Sequence, residues 1–292
     1  MPAVLRELTG VEVTQSALTQ DAQRRAAGSV GAAYEQLRAR VPEAAAVHTD
    51  DTGWRVGGEP AHLMAFETAT ATVSQIRARH RNEEVREVVP AEYEGVLGTE
   101  RGRSYDAIEL AGVRQQKCLA HIQRALSEVV ARQQGKARAF GSRLKGLFRQ
   151  ALELWHAYHD GKRAGFAAQA QQLQAALTYQ LRDRPLKDPD NQRLLNELGW
   201  HHDRGNLLRF LNDPHLEPTN NRAERALRPA VIARKVSQCS KTARGADAFA
   251  AFTSVVHSLA KTSANSVVDG LLQVFHSAAM PGASAAVRPC NR

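Results

Sequence analysis

Cysteine and aromatic residues are scarce in this sequence, and long apolar runs are missing. The three cysteines are an odd number, which cannot form a self-contained disulfide framework. No run of about 18 apolar residues is present, which argues against a membrane-spanning helix. The N-terminus also has no apolar signal-peptide core. These absences together predict a cytoplasmic protein with no membrane partner.

Positive charge is what the sequence has in excess, with a formal net charge of +9. Basic side chains release counterions from phosphates, so the charge favours a polyanionic partner such as nucleic acid. Many basic proteins bind no nucleic acid, and a basic helical interaction protein therefore stays as one alternative. The hydrophobic content of 43% in 292 residues is enough for a real core.

The N-terminal segment is predicted to be helical. Helical spacing covers residues 11–40, where Thr14 or Ser16 can cap the helix and Pro42 ends it. This segment is either a plain helical arm or half of a helix-turn-helix, and the sequence leaves little room for a preceding helix.

Strand and helix patterns alternate from residue 44 onwards, which predicts an α/β fold. The stretch "AAAVHTDDTGWRV", "GGEP", "AHLMAFETAT" predicts two strands joined by a glycine-rich turn. Residues 72–89 have a helical or mixed pattern, "YEGVLGTE" predicts a buried strand, and "GVRQQKCLAH" predicts a strand that leads into a helix. Helical spacing then continues from residue 122 to about 211, with a loop at 182–191, and resumes in "AERALRPAVIARK".

Acidic residues at three places in the sequence are candidates for chemistry. Asp50 and Asp51 are predicted at the end of the first strand, where alternation would place them on opposite faces. Glu100 follows an apolar run, at a position where α/β proteins place ligands. Glu224 stands three residues after Asn221, which also fits a helix capping box. Each position taken alone is explained by a strand end, a turn or a helix cap.

Taken together, two strand-end carboxylates and one helix carboxylate can hold two divalent cations. Two ions about 4 Å apart clamp the attacking and leaving oxygens of a phosphodiester. Carboxylate ligands suit Mg²⁺, which also takes phosphate oxygens of the substrate.

Four blocks of the sequence resemble one known family. "HTDDTGWRV", "GVLGTERGRSYD", "QQKCLAHIQR" and "EPTNNRAERALRP" are similar, in this order, to the signature blocks of the insertion sequence 66 family of bacterial transposases. The resemblance extends from about residue 10 to 275. It implies a ribonuclease-H-like α/β core, with a large all-helical insertion before the last catalytic helix.

The resemblance also implies a division of the chain and a catalytic triad. The parts are an N-terminal helical arm left from a DNA-binding region (1–43), the first part of the catalytic core (44–125), the helical insertion (126–212), core-completing helices (213–276) and a flexible tail (277–292). The triad that binds two Mg²⁺ or Mn²⁺ ions falls on Asp50, Glu100 and Glu224, with Asn221 capping the helix that carries Glu224.

Two departures from the family pattern lead to an alternative function. Glu100 stands where the family has aspartate, and its extra methylene displaces the carboxylate. A small misplacement can reduce a rate by about 100-fold. The chain also starts near the final helix of the family's N-terminal region. The alternative is therefore a truncated, catalytically inactive remnant that binds DNA only.

The remaining expectations concern supporting residues and partners. Cys118 and His121 form a Cys-x-x-His motif that is interpreted as structural rather than as a zinc site. The expected partners are DNA at the element's terminal inverted repeats, target DNA, a second copy of the chain on DNA, and accessory transposition proteins. Candidate contacts to DNA are basic residues that surround or follow Glu224, with a solvated loop as the alternative for the last four: Arg222, Arg225, Arg228, Arg234, Lys235, Lys241 and Arg244.

Overall fold

The computed structural model of the protein describes residues 2–262 and 266–277, and it contains both strands and helices. The predicted α/β class is confirmed. The described residues divide into two compact units. The first contains residues 2–44, 50–90, 223–262 and 266–277, and the second contains residues 45–49 and 91–222. The predicted tail at 277–292 lies outside the described residues except for Ser277.

A five-stranded mixed sheet is present among the described residues. Its strands, in chain order, are β1 (Ala46–Val56), β2 (Glu59–Glu67), β3 (Thr72–Arg77), β4 (Val96–Thr99) and β5 (Arg114–Lys117). The order across the sheet is β3-β2-β1-β4-β5. β2 pairs with β3 antiparallel, whereas β4 pairs parallel with both β1 and β5. The predicted strands at both ends of the glycine-rich turn, at β4 and at β5 are confirmed.

The turn between β1 and β2 consists of Gly57 and Gly58. Both have positive φ, 62° and 92°, which only glycine adopts without strain. A two-residue turn of this kind matches the twist of an antiparallel hairpin. The two glycines therefore fix the register in which β2 follows β1.

The helices follow the sequence pattern in most places. In chain order they are α1 (Pro2–Thr9), α2 (Gln15–Ala27), α3 (Ser29–Arg40), α4 (Asn82–Arg86), α5 (Leu119–Arg132), α6 (Gly135–His159), α7 (Phe166–Leu181), α8 (Pro189–Asp203), α9 (Arg209–Asn212), α10 (Asn221–Ser237), α11 (Ala243–Thr262) and α12 (Val267–Ser277). None of these described helices is both long enough and apolar enough to cross a membrane.

The N-terminal segment differs from the prediction in one respect. The Thr14 side chain accepts a hydrogen bond from the Ala17 amide, so the predicted cap at Thr14 is confirmed. The helical stretch is interrupted at Gly28, and a further helix, α1, precedes it. The expectation that a preceding helix has little room was therefore wrong. α2 and α3 pack on α11 within the first unit.

β3 is the edge strand of the sheet, and α11 covers this edge. The amides of Thr72 and Ser74 donate hydrogen bonds to the hydroxyls of Ser258 and Ser254, over 2.9 and 2.8 Å. An uncovered edge would offer these amides to another chain. The helix hydroxyls satisfy them instead, which closes the sheet on this side.

The second unit buries a large apolar cluster between its helices. Leu126 of α5, Leu144 and Phe148 of α6, Leu177 of α7 and Leu198 of α8 are all inaccessible to solvent. These residues follow the helical spacing that predicted helices at 122–211. The predicted loop at 182–191 ends earlier, because Asp188 caps α8 through the Asn191 amide and Pro189 occupies its first turn.

Candidate catalytic and metal-binding residues

Asp50 and Asp51 lie in the middle of β1, not at its end as predicted, because the strand continues to Val56. Asp50, Asp51 and Thr52 are all half-buried, so the alternation of exposed and buried side chains is lost here. The Asp50 Oδ1 turns back to accept the Asp51 amide at 2.9 Å. Carboxylate oxygens of the two residues lie within 4.8 Å of each other. The prediction that alternation separates them was therefore wrong.

Asp51 is held between two histidines. Its Oδ2 lies 2.7 Å from the Nδ1 of His62 in β2, and its Oδ1 lies 3.0 Å from the Nδ1 of His80, which follows β3. Burial raises the pKa of Asp51, but the hydrogen bonds from His80 and His62 outweigh it and hold that pKa below its ordinary value. This carboxylate is ionised at neutral pH.

Neither His62 nor His80 was predicted as a site residue from the sequence. The position of His62 beside β1 could have been predicted from the register of the hairpin, because the two-residue turn folds β2 back along β1. His80 lies in the loop after β3, and no spacing in the sequence connects it to Asp51.

Glu224 is half-buried in the first turn of α10. Further along the helix, Leu227 and Ala230 pack into an apolar cluster with Trp54 of β1 and Leu63 of β2. Trp54 is 4% exposed, and its indole N–H donates to the Ser240 hydroxyl at 3.1 Å. Trp54 is therefore a core residue. This packing fixes the helix that carries Glu224 against the β1–β2 hairpin.

The residues before α10 are tied to the second unit. The helix begins at Asn221, so the preceding Asn220 occupies the position that the sequence analysis gave to Asn221. Asn220 is buried, and its side-chain amide donates to the Thr49 carbonyl at 2.7 Å. Its backbone amide donates to the Cys118 Sγ at 3.2 Å. The two adjacent asparagines therefore have different surroundings, since Asn221 is exposed.

Cys118 joins three segments of the second unit. Its amide donates to the Thr99 carbonyl at 2.8 Å, and its sulfur accepts from Asn220. Burial raises the pKa of the Cys118 thiol, but hydrogen bonds from His121 and Asn220 outweigh it and leave that pKa below its ordinary value. These contacts link the end of β4, the start of α5 and the segment before α10, and the structural role of Cys118 stays a prediction.

Glu100 directly follows β4 and is half-buried. Its backbone carbonyl lies 3.4 Å from the Nζ of Lys117, the last residue of β5. The Lys117 side chain is fully buried, and its Nζ is 2.7 Å from the Asp106 Oδ1. Burial lowers the pKa of Lys117, and the charge of Asp106 opposes this. A buried ion pair thus supports the backbone at Glu100.

The candidate DNA-binding residues fall into two groups. Arg222 forms an ion pair with Glu217, and the Arg234 guanidinium donates to the Thr52 hydroxyl and the Gly53 carbonyl. Arg234 therefore fastens α10 to β1. The other candidates are exposed to solvent, where a phosphate can reach them: Arg225, Arg228, Lys235, Lys241 and Arg244.

The three predicted triad residues are thus distributed over both units. Asp50 and Glu224 belong to the first unit, and Glu100 belongs to the second. The sequence model of a family described as "Transposase IS66 family" matches residues 1–248, a range that includes all three. The chain belongs to this family. No curated protein and no solved structure matched the chain.

Membership of the IS66 transposases confirms the resemblance seen in the sequence blocks. It supports a role in transposition, and it implies DNA binding. It also suggests the use of a divalent metal.

Proposed function

We propose that the protein is the catalytic part of a DNA transposase, which cleaves DNA strands and transfers them at the ends of an insertion sequence. Family membership over residues 1–248 carries this proposal. The proposed ligands of two Mg²⁺ or Mn²⁺ ions are Asp50, Glu100 and Glu224. Bound divalent ions supply activation of the attacking oxygen and stabilisation of charge on the leaving oxygen.

The parallel register of β1 and β4 supports the choice of Asp50 and Glu100. The last pair in this register is His48 with Gly98, and Asp50 and Glu100 each follow that pair by two residues. β1 continues past this pair as a strand, but its parallel pairing with β4 ends there. In α/β sheets, ligands bind where parallel strands end on their carboxyl side. All three acids are half-buried, so none of these residues is sealed in the core. An all-carboxylate set fits Mg²⁺, which prefers oxygen ligands and keeps several waters.

The finer description of the fold is part of the same proposal. We infer a ribonuclease-H-like core, and the mixed sheet with parallel β1, β4 and β5 supports this inference. The helical insertion at 126–212 and the other predicted boundaries are proposed on the family resemblance. The same resemblance is the basis for assembly on DNA as a homo-oligomer with accessory proteins.

Glu100 bears on the activity of this copy. The contact between Lys117 and the Glu100 carbonyl holds the backbone, so the extra methylene of glutamate has to be accommodated by the side chain. The Glu100→Asp variant, which shortens the side chain, should therefore cleave faster than the natural protein.

Cleavage of DNA that carries the element's ends, in Mg²⁺ or Mn²⁺, tests the proposal. The natural protein should cut, and Glu224→Gln should not, because the amide loses the charge that binds the ion. Glu128→Gln is the matched control, since Glu128 is an exposed glutamate on α5. Equal cutting by the Glu224→Gln variant would remove Glu224 from the site.

The second candidate function is a remnant that binds DNA without cutting it. The observation that favours it is glutamate at position 100, together with exposed arginines such as Arg225 and Arg228. This function predicts salt-dependent DNA binding, and no metal-dependent cutting by the natural protein. Cutting by Glu100→Asp alone would identify a decayed enzyme with an intact fold.

A further inference from the structure

Asp51, His62 and His80 converge at one point of the first unit. The carboxylate presents one oxygen to each imidazole, with Oδ2 2.7 Å from the His62 Nδ1 and Oδ1 3.0 Å from the His80 Nδ1. One ligand atom from each residue can be chosen so that all three lie within 4.8 Å of one another. We infer that these three residues form a binding site for a transition-metal ion, with Zn²⁺ as the preferred occupant.

The distances fit the ligand sphere of such an ion. Zinc binds imidazole nitrogen and carboxylate oxygen at about 2.0–2.2 Å, so neighbouring ligand atoms are about 3 Å apart. The observed separations between nitrogen and oxygen are already close to this value. Without an ion, imidazole N–H groups donate to the carboxylate. An ion would take the place of these protons with small movements of the rings.

The three residues come from separate segments that the fold holds together. Asp51 lies in β1, His62 lies in β2 opposite Arg77 of β3, and His80 follows β3 by three residues. The side chains of His80 and Asp51 are 9% and 16% exposed, and that of His62 is 39% exposed. His80 and Asp51 are thus held by the residues around them. The more exposed His62 lies on the side from which an ion can enter from solvent.

The donor set distinguishes this site from the proposed triad. Two imidazoles and one carboxylate favour zinc and neighbouring transition metals, whereas Mg²⁺ prefers an all-oxygen set. Three protein ligands leave a fourth position for water. Asp51 adjoins Asp50, so an ion here would hold the backbone of β1 beside the first proposed triad residue. The inference does not rest on the proposed function.

Metal titration of the full chain tests the site. The chain is freed of metal with a chelator and titrated with Zn²⁺ by calorimetry, and with Co²⁺ by visible absorption. One high-affinity site per chain is expected. His80→Ala and His62→Ala should each weaken Zn²⁺ binding by about 100-fold or more, since loss of a ligand costs more than loss of an outer partner.

Three control variants test whether the ion binds at these three residues and not elsewhere on the chain. His276→Ala removes an exposed histidine of α12 and should bind Zn²⁺ as the natural protein does. Glu224→Gln should also bind Zn²⁺ as the natural protein does. Zn²⁺ binding at this site is therefore tested separately from the role of Glu224 in the proposed triad. Cys118→Ser should be unchanged as well, and the Co²⁺ spectrum should lack a thiolate charge-transfer band.

Folding of the histidine variants is checked by thermal unfolding in chelator, where each should still unfold in one cooperative transition, at a midpoint lowered by loss of the contact with Asp51. Added Zn²⁺ should raise the midpoint of the natural protein and not those of the histidine variants. No Zn²⁺ binding by the natural protein, or equal binding by His80→Ala and His62→Ala, would overturn the inference.

Discussion

Replacing Asp106 by asparagine should lower the free energy of unfolding of the protein by about 2–4 kcal/mol. The change leaves the Lys117 ammonium, which is fully buried, without its counter-ion at 2.7 Å. Removal of one partner of a buried pair typically costs about 3–5 kcal/mol. The value here should be somewhat smaller, because a quarter of the Asp106 side chain is exposed and solvent screens the pair.

The pKa of the lysine sets an upper limit to this loss. Lys117 can avoid a buried charge by releasing its proton, and release at pH 7 from a group with an ordinary pKa of 10.5 costs about 5 kcal/mol. This limit falls by about 1.4 kcal/mol for each pH unit above 7. The deficit of Asp106→Asn should therefore be smaller at pH 9 than at pH 7.

Urea unfolding at both pH values measures the effect. The slope of the unfolding free energy against urea concentration should be the same for the variant and the natural protein. In a Lys117→Met background, Asp106→Asn should cost less than about 1 kcal/mol, because no buried charge is left uncompensated. Glu153→Gln, which breaks an exposed pair with Arg149, is the control and should change stability by less than about 1 kcal/mol. An equal loss in the presence and absence of Lys117 would refute the reasoning.

Three further predictions concern the core, pH and DNA. Leu227→Ala should lower unfolding stability by about 2–5 kcal/mol in urea, since Leu227 packs in the cluster under α10; a loss below about 1 kcal/mol would contradict this packing. Burial, assisted by the charge of Lys117, lowers the pKa of His201 from 6.5 to about 4, so its neutral form stabilises the fold above pH 6.5. That stability is lost as pH falls towards 4, and His201→Asn should show a flatter pH profile in thermal unfolding. Arg228→Gln should reduce the slope of log binding constant against log salt by about 0.9 for any duplex, and an unchanged slope would exclude a phosphate contact.

Much of the fold could be predicted from local sequence patterns. Gly57 and Gly58 between two apolar stretches predicted the β1–β2 hairpin, and the helical spacing of residues 122–211 predicted α5 to α9. These features depend on residues close together in sequence, so they can be predicted without knowledge of the tertiary structure.

β3 shows why other parts could not be predicted. Its sequence TVSQIR places polar Ser74 and Gln75 at positions that are buried, and the pattern therefore did not indicate a strand. Ser74 donates its amide to Ser254, and the Gln75 side chain donates to the Glu84 carbonyl at 2.6 Å. Hydrogen bonds to residues elsewhere in the chain offset the cost of burying these polar residues, and the local pattern does not show them.

The candidate site was predicted only in part, for the same reason. Family blocks identified Asp50, Glu100 and Glu224 by sequence alone, and they stay predictions. The contact of Asp51 with His80 depends on a loop whose path no local pattern specifies. The prediction for Asp50 and Asp51 assumed regular strand alternation, which fails where Asp50 accepts the next amide.

The cover that α11 gives to β3 has a consequence for synthesis of the chain on the ribosome. Ser254 and Ser258 are made about 180 residues after the strand whose amides they satisfy. At a synthesis rate of about 5–20 residues per second, the edge of β3 stays uncovered for roughly 10–40 seconds before these serines are made. Residues 91–222 emerge during that interval and can pack among themselves. The nascent β1–β3 segment is therefore open to aggregation during that interval, when a chaperone can protect it.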